Sequence, residues 1–146
     1  MNRFRHALFA ALVGLAILAA GCGNPQDISQ TDLPSEPSDR EYTLRGYMTG
    51  YYGQGGEIDG VRNPVLRALP GETVTITLIN GERMVHDIAL KHQRVRSALI
   101  NRPEETTRLT FTAEKNDTYY CTIPGHVETG MIGEFVVEPP SGYASY

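Results

Sequence analysis

Between residues 41 and 138 the apolar side chains recur at every second position, and not at the 3.6-residue spacing of a helix. In TVTITLIN (73–80) every second residue from Val74 to Leu78 is apolar, which fits a strand with one buried face. The segment TRLTFTA (107–113) shows the same alternation. The alternation predicts an all-β domain, because each such strand must cover its apolar face with another sheet.

Turn residues divide this region into short strands. Seven segments fit strands, at 42–48, 65–69, 73–80, 85–90, 107–113, 117–121 and 132–138. Pairs such as Pro70-Gly71 and Asn80-Gly81 are turn signals between them. Seven short strands in one small domain predict a Greek-key β-sandwich. Residues 49–60 hold too many glycines for a strand, and only residues 93–101 fit a helix, which would be short.

The start of the chain has the features of an export signal. Residues 1–6 are basic, residues 7–20 are apolar, and small residues precede Cys22. We therefore expect residues 1–21 to be a cleaved signal peptide. The sequence AAGC resembles the lipobox of bacterial lipoproteins, which implies a lipid on Cys22. The protein would then be exported and anchored to a bacterial membrane, facing the periplasm or the cell exterior. An ordinary secretory signal is the alternative.

The remaining composition limits the partners. Residues 22–40 are rich in Pro, Ser, Asp and Gln and cannot bury enough surface to fold, so they predict a lipid-anchored flexible linker. The domain itself is expected at 41–138, followed by a flexible tail at 139–146. The net charge is −4, which argues against nucleic acid as a partner. No apolar run reaches 18 residues, so no transmembrane helix is predicted.

The motif CTIPGHVETGM (121–131) contains the residues that carry chemistry. Cys121, His126 and Met131 follow a C-x4-H-x4-M spacing just before the last predicted strand. A thiolate, an imidazole and a thioether form a soft ligand set, which favours copper over magnesium or calcium. Zinc could use the thiolate and imidazoles but has little use for a thioether. A trigonal copper site needs a second histidine, for which His86 is the natural candidate.

At these residues the chain resembles a cupredoxin, the family of small blue-copper proteins. CTIPGH is similar to the ligand loop of azurins, and its spacing to the methionine is similar to that of auracyanins. The stretch NGERMVHDIAL (80–90) resembles a cupredoxin domain fused to some copper nitrite reductases. The resemblance implies one type 1 copper ion with His86, Cys121 and His126 as strong ligands. It implies Met131 as the weak axial ligand.

The resemblance also implies a role in electron transfer. A copper ion whose positions are all filled by protein has no place for a small-molecule substrate, so we expect a one-electron carrier and not an enzyme. In nitrite reductases a histidine before the ligand cysteine links two metals, and here that residue is Tyr120. The family often has asparagine where this chain has Asp87. Asp87 can still accept a hydrogen bond from the loop at Thr122, and its charge should lower the reduction potential.

A docking surface is implied around the last ligand. In cupredoxins the histidine of this loop reaches the surface through an apolar patch, which here would be His126 with Ile123, Pro124, Val127 and Met131 nearby. The expected partners are redox proteins, among them a copper nitrite reductase, a cytochrome or an oxidase. Two alternatives remain open: a copper carrier or chaperone without a redox role, and a sandwich domain without any metal.

Overall fold

The computed structural model describes residues 39–138, which form two four-stranded β-sheets. The strands are β1 (Arg40–Tyr47), β2 (Gly50–Gly53), β3 (Leu66–Ala68), β4 (Thr73–Asn80), β5 (Ala89–Leu90), β6 (Thr106–Thr112), β7 (Asp117–Tyr120) and β8 (Ile132–Val137). A 3-10 turn at Gly56–Ile58 and a short helix α1 (His126–Thr129) complete the elements.

The strand order is β2-β1-β4-β6 in sheet 1 and β3-β8-β7-β5 in sheet 2. The pairs β1–β4 and β3–β8 are parallel. In each pair the chain passes through the other sheet before it returns to form the second strand. The predicted β-sandwich is therefore confirmed. Within the described range no helix is long and apolar enough to cross a membrane. The export signal, the lipid attachment at Cys22, the linker up to residue 38 and the tail at 139–146 lie outside the described residues. Arg40, which the sequence analysis assigned to the linker, belongs to β1.

The core lies between the sheets, where the period-two residues meet. Strand β4 buries Val74, Ile76 and Leu78 completely, while the intervening threonines stay at least partly exposed. Phe111 of β6 and Phe135 of β8 pack edge to face, with ring centroids 5.1 Å apart. Each buried side chain of this size contributes roughly 1.5–3 kcal/mol to folding.

The prediction that residues 49–60 hold no strand is wrong. Residues 50–53 form β2, which pairs with β1 through a tight turn. The glycines do not break this strand because they permit close approach: a side chain on Gly53 would collide with the backbone of Ile58. The strand also places the fully buried Tyr51 within hydrogen-bond distance of the backbone of Asp87.

The predicted helix at 93–101 is also wrong. Residues 95–100 run antiparallel to residues 86–90, with Leu90 N donating to Val95 O and Ser97 N donating to Ile88 O, both at 2.9 Å. Arg94 has a left-handed φ of 56° at the turn between them. Of the predicted strand 85–90, only β5 at its end belongs to the regular sheet. Pairing with the edge of sheet 2 therefore outweighs the local preference for a helix.

Candidate metal centre

Three buried side chains from two separate segments converge at one end of the sandwich. The side-chain donor atoms of His86, Cys121 and His126 all lie within 4.8 Å of one another. The three residues are 0%, 1% and 5% exposed, respectively. The structure thus brings together the three strong ligands that the sequence predicted.

His86 is held by its backbone and by one ring nitrogen. Its N–H and C=O both bond to Ile100, each at 2.9 Å. Its Nε2 lies 3.1 Å from a carboxylate oxygen of Glu82. An ionised carboxylate can only accept, so Nε2 carries the proton and Nδ1 carries the free lone pair. This Nδ1 is buried and has no hydrogen-bond partner among residues 39–138.

The charge state of His86 suits a ligand. Burial lowers the pKa of His86 below its ordinary value of 6.5, so the ring is neutral at neutral pH. An unpartnered buried nitrogen costs roughly 1–3 kcal/mol in desolvation. Coordination of a metal ion by Nδ1 would remove that cost. The unpartnered Nδ1 of His86 is the observation that indicates a metal-binding site here.

Cys121 and His126 come from the turn between β7 and β8. Gly125 has a left-handed φ of 86°, which lets the chain reverse just before α1 begins at His126. The backbone N–H groups of Cys121 and Met131 then bond to Met131 O and His126 O at 3.1 and 2.9 Å. As a result Cys121 Sγ and His126 Nδ1 lie 3.4 Å apart.

The buried thiol also needs a cation to ionise. Burial raises the pKa of the Cys121 thiol above its ordinary value of 9.0. A bound metal ion supplies positive charge, and it deprotonates a coordinating thiol outright. The rings of His86 and His126 stand 5.1 Å apart at 54°, so the two imidazoles do not stack. One sulfur and two imidazoles form a donor set that suits copper.

Met131 lies beside this cluster. It is fully buried, and its methyl group and the ring of His86 both face the backbone of Gly46. Its position agrees with the axial role that the resemblance implies, and that role remains a prediction. Because it is buried, Met131 adds nothing to the exposed surface around His126, where the sequence had placed it.

Asp87 and Thr122 join the two ligand segments. Thr122 N donates to Asp87 Oδ1 at 2.7 Å, and Thr122 Oγ1 donates to Asp87 Oδ2 at 2.5 Å. Asp87 is fully buried. The structure therefore shows the hydrogen bond to the ligand loop that the sequence analysis expected.

Two residues near the ligands were missed by the sequence analysis. Glu82 faces His86, as described above, and Tyr51 donates its hydroxyl to Asp87 O at 2.6 Å. Burial, with Cys121 and Asp87 next to it, raises the pKa of Tyr51 well above its usual range. The four-residue spacing between Glu82 and His86 was visible in the sequence. Whether the two side chains meet depends on the shape of the turn between them. For Tyr51 the sequence carried no signal, since its strand was not predicted.

The predicted docking residues lie on the same loop as His126. Pro124 is exposed, and Ile123 and Val127 are half-buried, with Ile123 packed against the core. His126 is 5% exposed and is therefore the most exposed of the three predicted strong ligands, since His86 is 0% and Cys121 is 1% exposed. Their role in docking remains a prediction.

Comparisons with solved structures support the fold. Auracyanin A, a "blue" copper protein from Chloroflexus aurantiacus, matches with a TM-score of 0.52 at 21% identity, over 67% of this chain and 98% of that chain. Rusticyanin from Thiobacillus ferrooxidans matches with a TM-score of 0.50 at 23% identity, over 71% and 79%. Copper nitrite reductase from Nitrosomonas europaea matches with a TM-score of 0.52 at 25% identity, over 73% of this chain and 43% of that one.

A comparison with curated protein sequences finds no match. A family model described as copper binding proteins, plastocyanin/azurin family, matches residues 65–138, which is half of the chain. The matched range contains the three converging donors and Met131. The predicted resemblance to cupredoxins and the predicted copper cofactor are thus confirmed, and the chain belongs to the plastocyanin/azurin family of copper binding proteins.

Proposed function

We propose that this protein is a one-electron carrier. The observation that carries the proposal is the burial of His86, Cys121 and His126, whose donor atoms lie within 4.8 Å of one another. When bound there, a copper ion supplies a one-electron couple between its cupric and cuprous states. Side chains that are at most 5% exposed leave no approach for a substrate, which favours electron transfer over catalysis.

The chain's own residues hold the donors in one arrangement. His86 is fixed by Ile100 and Glu82, and the loop carrying Cys121 is fixed to Asp87 through Thr122. Each of these contacts includes a fully buried residue, His86 or Asp87, so we expect them to persist when the charge of the site changes by one unit. A donor set that stays in place keeps the reorganisation during electron transfer small.

Docking is expected at the loop that carries His126. The exposed Pro124 and the half-buried Ile123 and Val127 offer apolar surface on that loop. Apolar contacts of this small extent suit a weak complex that dissociates fast. The partners would be redox proteins, such as a copper nitrite reductase, a cytochrome or an oxidase. The protein would itself act on no small molecule.

We further propose that the carrier is exported and anchored through a lipid on Cys22. The support is the sequence alone: a basic start, an apolar stretch and small residues before the cysteine. The chain between Cys22 and the start of β1 at Arg40 would then act as a flexible tether between the lipid and the folded domain. On this proposal the copper end can reach partners near the membrane surface.

The test uses the full chain, exported by a bacterial host and supplied with Cu(II). We expect an intense blue thiolate-to-copper absorption and a reversible one-electron wave in voltammetry. Cys121→Ser should abolish the blue absorption. The control His92→Ala should keep it, because His92 is exposed and does not belong to the cluster. Copper uptake without a reversible couple would contradict the proposal and identify a copper carrier instead.

A further inference from the structure

Glu82 makes a contact that places a negative charge directly behind a copper ligand. One of its carboxylate oxygens lies 3.1 Å from Nε2 of the fully buried His86. The same oxygen accepts the backbone N–H of Met48. The side chain of Glu82 is 31% exposed, so it extends from solvent to the buried ring.

The turn that presents Glu82 is fixed by a buried side chain. Asn80 is fully buried, accepts a hydrogen bond from Glu82 N at 3.0 Å and donates one to Met84 O at 2.8 Å. Asn80 therefore holds the turn between β4 and His86, and from this turn the Glu82 carboxylate contacts the ring. The contact follows from the tertiary structure and is not an incidental pairing of two surface groups.

The contact has two consequences for the ligand. A neutral imidazole has one N–H, and a carboxylate at Nε2 places that proton there, which leaves Nδ1 free for the metal. A carboxylate on the outer nitrogen also makes the ring a stronger donor. A stronger donor beside a fixed negative charge stabilises the cupric ion more than the cuprous ion, since the cupric ion carries more positive charge.

We propose that Glu82 is a positioning residue of the copper site, which sets the tautomer of His86 and lowers the reduction potential. The inference rests on the proposed function. It differs from the role of Asp87, whose two carboxylate oxygens bond to Thr122 on the other ligand loop. Glu82 acts on the histidine that comes from the turn, and Asp87 acts on the loop of Cys121.

Three variants of the full chain separate charge from hydrogen bonding. Glu82→Gln keeps an acceptor for His86 and for Met48 but removes the charge. Glu82→Ala removes both. Glu128→Gln is the matched control, because Glu128 is an exposed carboxylate two residues after His126, on the ligand loop. Circular dichroism of each metal-free variant establishes that it is folded.

The first readout is the tautomer of His86 in the metal-free protein, measured by nitrogen-15 NMR. We expect the Nε2–H tautomer in the wild type, in Glu82→Gln and in Glu128→Gln, and a mixture in Glu82→Ala. An Nδ1–H tautomer in the wild type would overturn the proposal. This readout needs no copper.

The second readout is the affinity for Cu(II) and the midpoint potential. Glu82→Ala should bind Cu(II) about 10–100-fold more weakly than the wild type. Glu82→Gln should raise the potential, by about 59 mV if the ratio of Cu(II) to Cu(I) affinity falls tenfold. The control should stay close to the wild type. Equal shifts in Glu82→Gln and Glu128→Gln, or no shift in either, would overturn the role of Glu82.

The wild type in the same series distinguishes this inference from the proposed function. If the wild type takes up copper with a reversible couple, the proposed function stands and the variants alone decide the role of Glu82. If the wild type shows no reversible couple, the proposed function fails and so does the effect on the potential, while the tautomer of His86 in the metal-free variants still decides whether Glu82 positions that ring.

Discussion

Asp87 accepts two hydrogen bonds from Thr122, one from the backbone N–H at 2.7 Å and one from the hydroxyl at 2.5 Å. Asp87 directly follows one ligand, His86, and Thr122 directly follows another, Cys121. The pair therefore joins the two segments that build the metal centre. It also places a fully buried carboxylate next to the ligand loop.

Replacing Asp87 by asparagine should raise the midpoint potential. The carboxylate favours the more positive cupric ion, so its loss favours the cuprous ion. A tenfold change in the ratio of the two affinities corresponds to about 59 mV, and we expect a shift of that order in voltammetry. The control Thr122→Val removes the hydroxyl bond but keeps the charge, and it should change the potential much less. A lower potential in Asp87→Asn would contradict this account.

The stability of the metal-free protein should fall at both ends of the pH range. The pKa of His86 is lowered by burial, so the unfolded chain binds more protons below pH 6.5 and stability falls as the pH drops. The pKa of Cys121 is raised by burial, so the folded chain keeps its proton above pH 9.0 and stability falls as the pH rises. Each group contributes at most about 1.4 kcal/mol per pH unit.

Urea unfolding of the metal-free chain between about pH 5 and pH 10 tests this dependence. Cys121→Ser should lose the decline between pH 9 and pH 10 but keep the acidic one. Above pH 10 the tyrosines add to the loss, because burial raises the pKa of both Tyr51 and Tyr119 above 10.0. A stability that does not change from pH 5 to pH 9 would contradict the assigned state of His86.

A negative charge at Val127 should slow electron exchange without changing the copper site. Val127 is half-buried, and it directly follows His126. Self-exchange between oxidised and reduced copies of the protein, measured by NMR line broadening, needs no known partner. Val127→Glu should reduce this rate about tenfold or more, because two like charges would meet at the contact.

The optical spectrum of Val127→Glu should match that of the wild type. Val61→Glu is the matched control, because Val61 is 45% exposed and lines a groove with Glu41 and Glu138, and Glu138 follows the end of β8 that is away from the ligand loop. If both variants slow the exchange equally, net charge and not the His126 loop determines the rate. Ile123 is less suitable for this test, because it packs against the core and a charge there would also affect folding.

Replacing Cys22 by alanine should release the protein from the membrane. Two acyl chains anchor a protein stably, while a chain without them has no such affinity. In fractionated cells the wild type should sediment with membranes and Cys22→Ala should not. Cys121→Ser is the control, since it alters the copper site and should stay with the membranes. Equal distribution of the wild type and Cys22→Ala would contradict lipid anchoring.

The sequence predicts that Cys121 and His126 lie close together because both belong to one short segment. Cys121 and His126 belong to one turn, so the number of residues between them limits the distance between their side chains. The alternation along β4 and β6 is equally local, and it correctly predicted the two facing sheets.

The failures involve contacts between distant residues. Residues 95–100 pair with the edge of sheet 2, and no local pattern records that pairing. The glycines of β2 were read as breakers, although their contacts with the 58–63 segment require small residues. The role of Glu82 depends on a turn whose shape is set by the buried Asn80. In each case the sequence allows more than one local structure, and a contact between distant residues determines which one forms.

Replacing Met131 by leucine tests the remaining ligand. Met131 is fully buried beside Gly46, and leucine has nearly the same volume, so the fold should lose less than about 1.5 kcal/mol. If the thioether is the weak axial ligand, its loss removes a donor from the cupric ion, and the axial ligand is known to tune the potential of such sites.

We therefore expect Met131→Leu to keep the blue absorption, because Cys121 and both histidines remain, and to show a higher midpoint potential. Met84→Leu is the matched control, because Met84 is 39% exposed and its thioether does not belong to the buried cluster. An unchanged potential in Met131→Leu would make Met131 a packing residue. Loss of the blue absorption would show that the thioether is needed to hold the strong ligands in place.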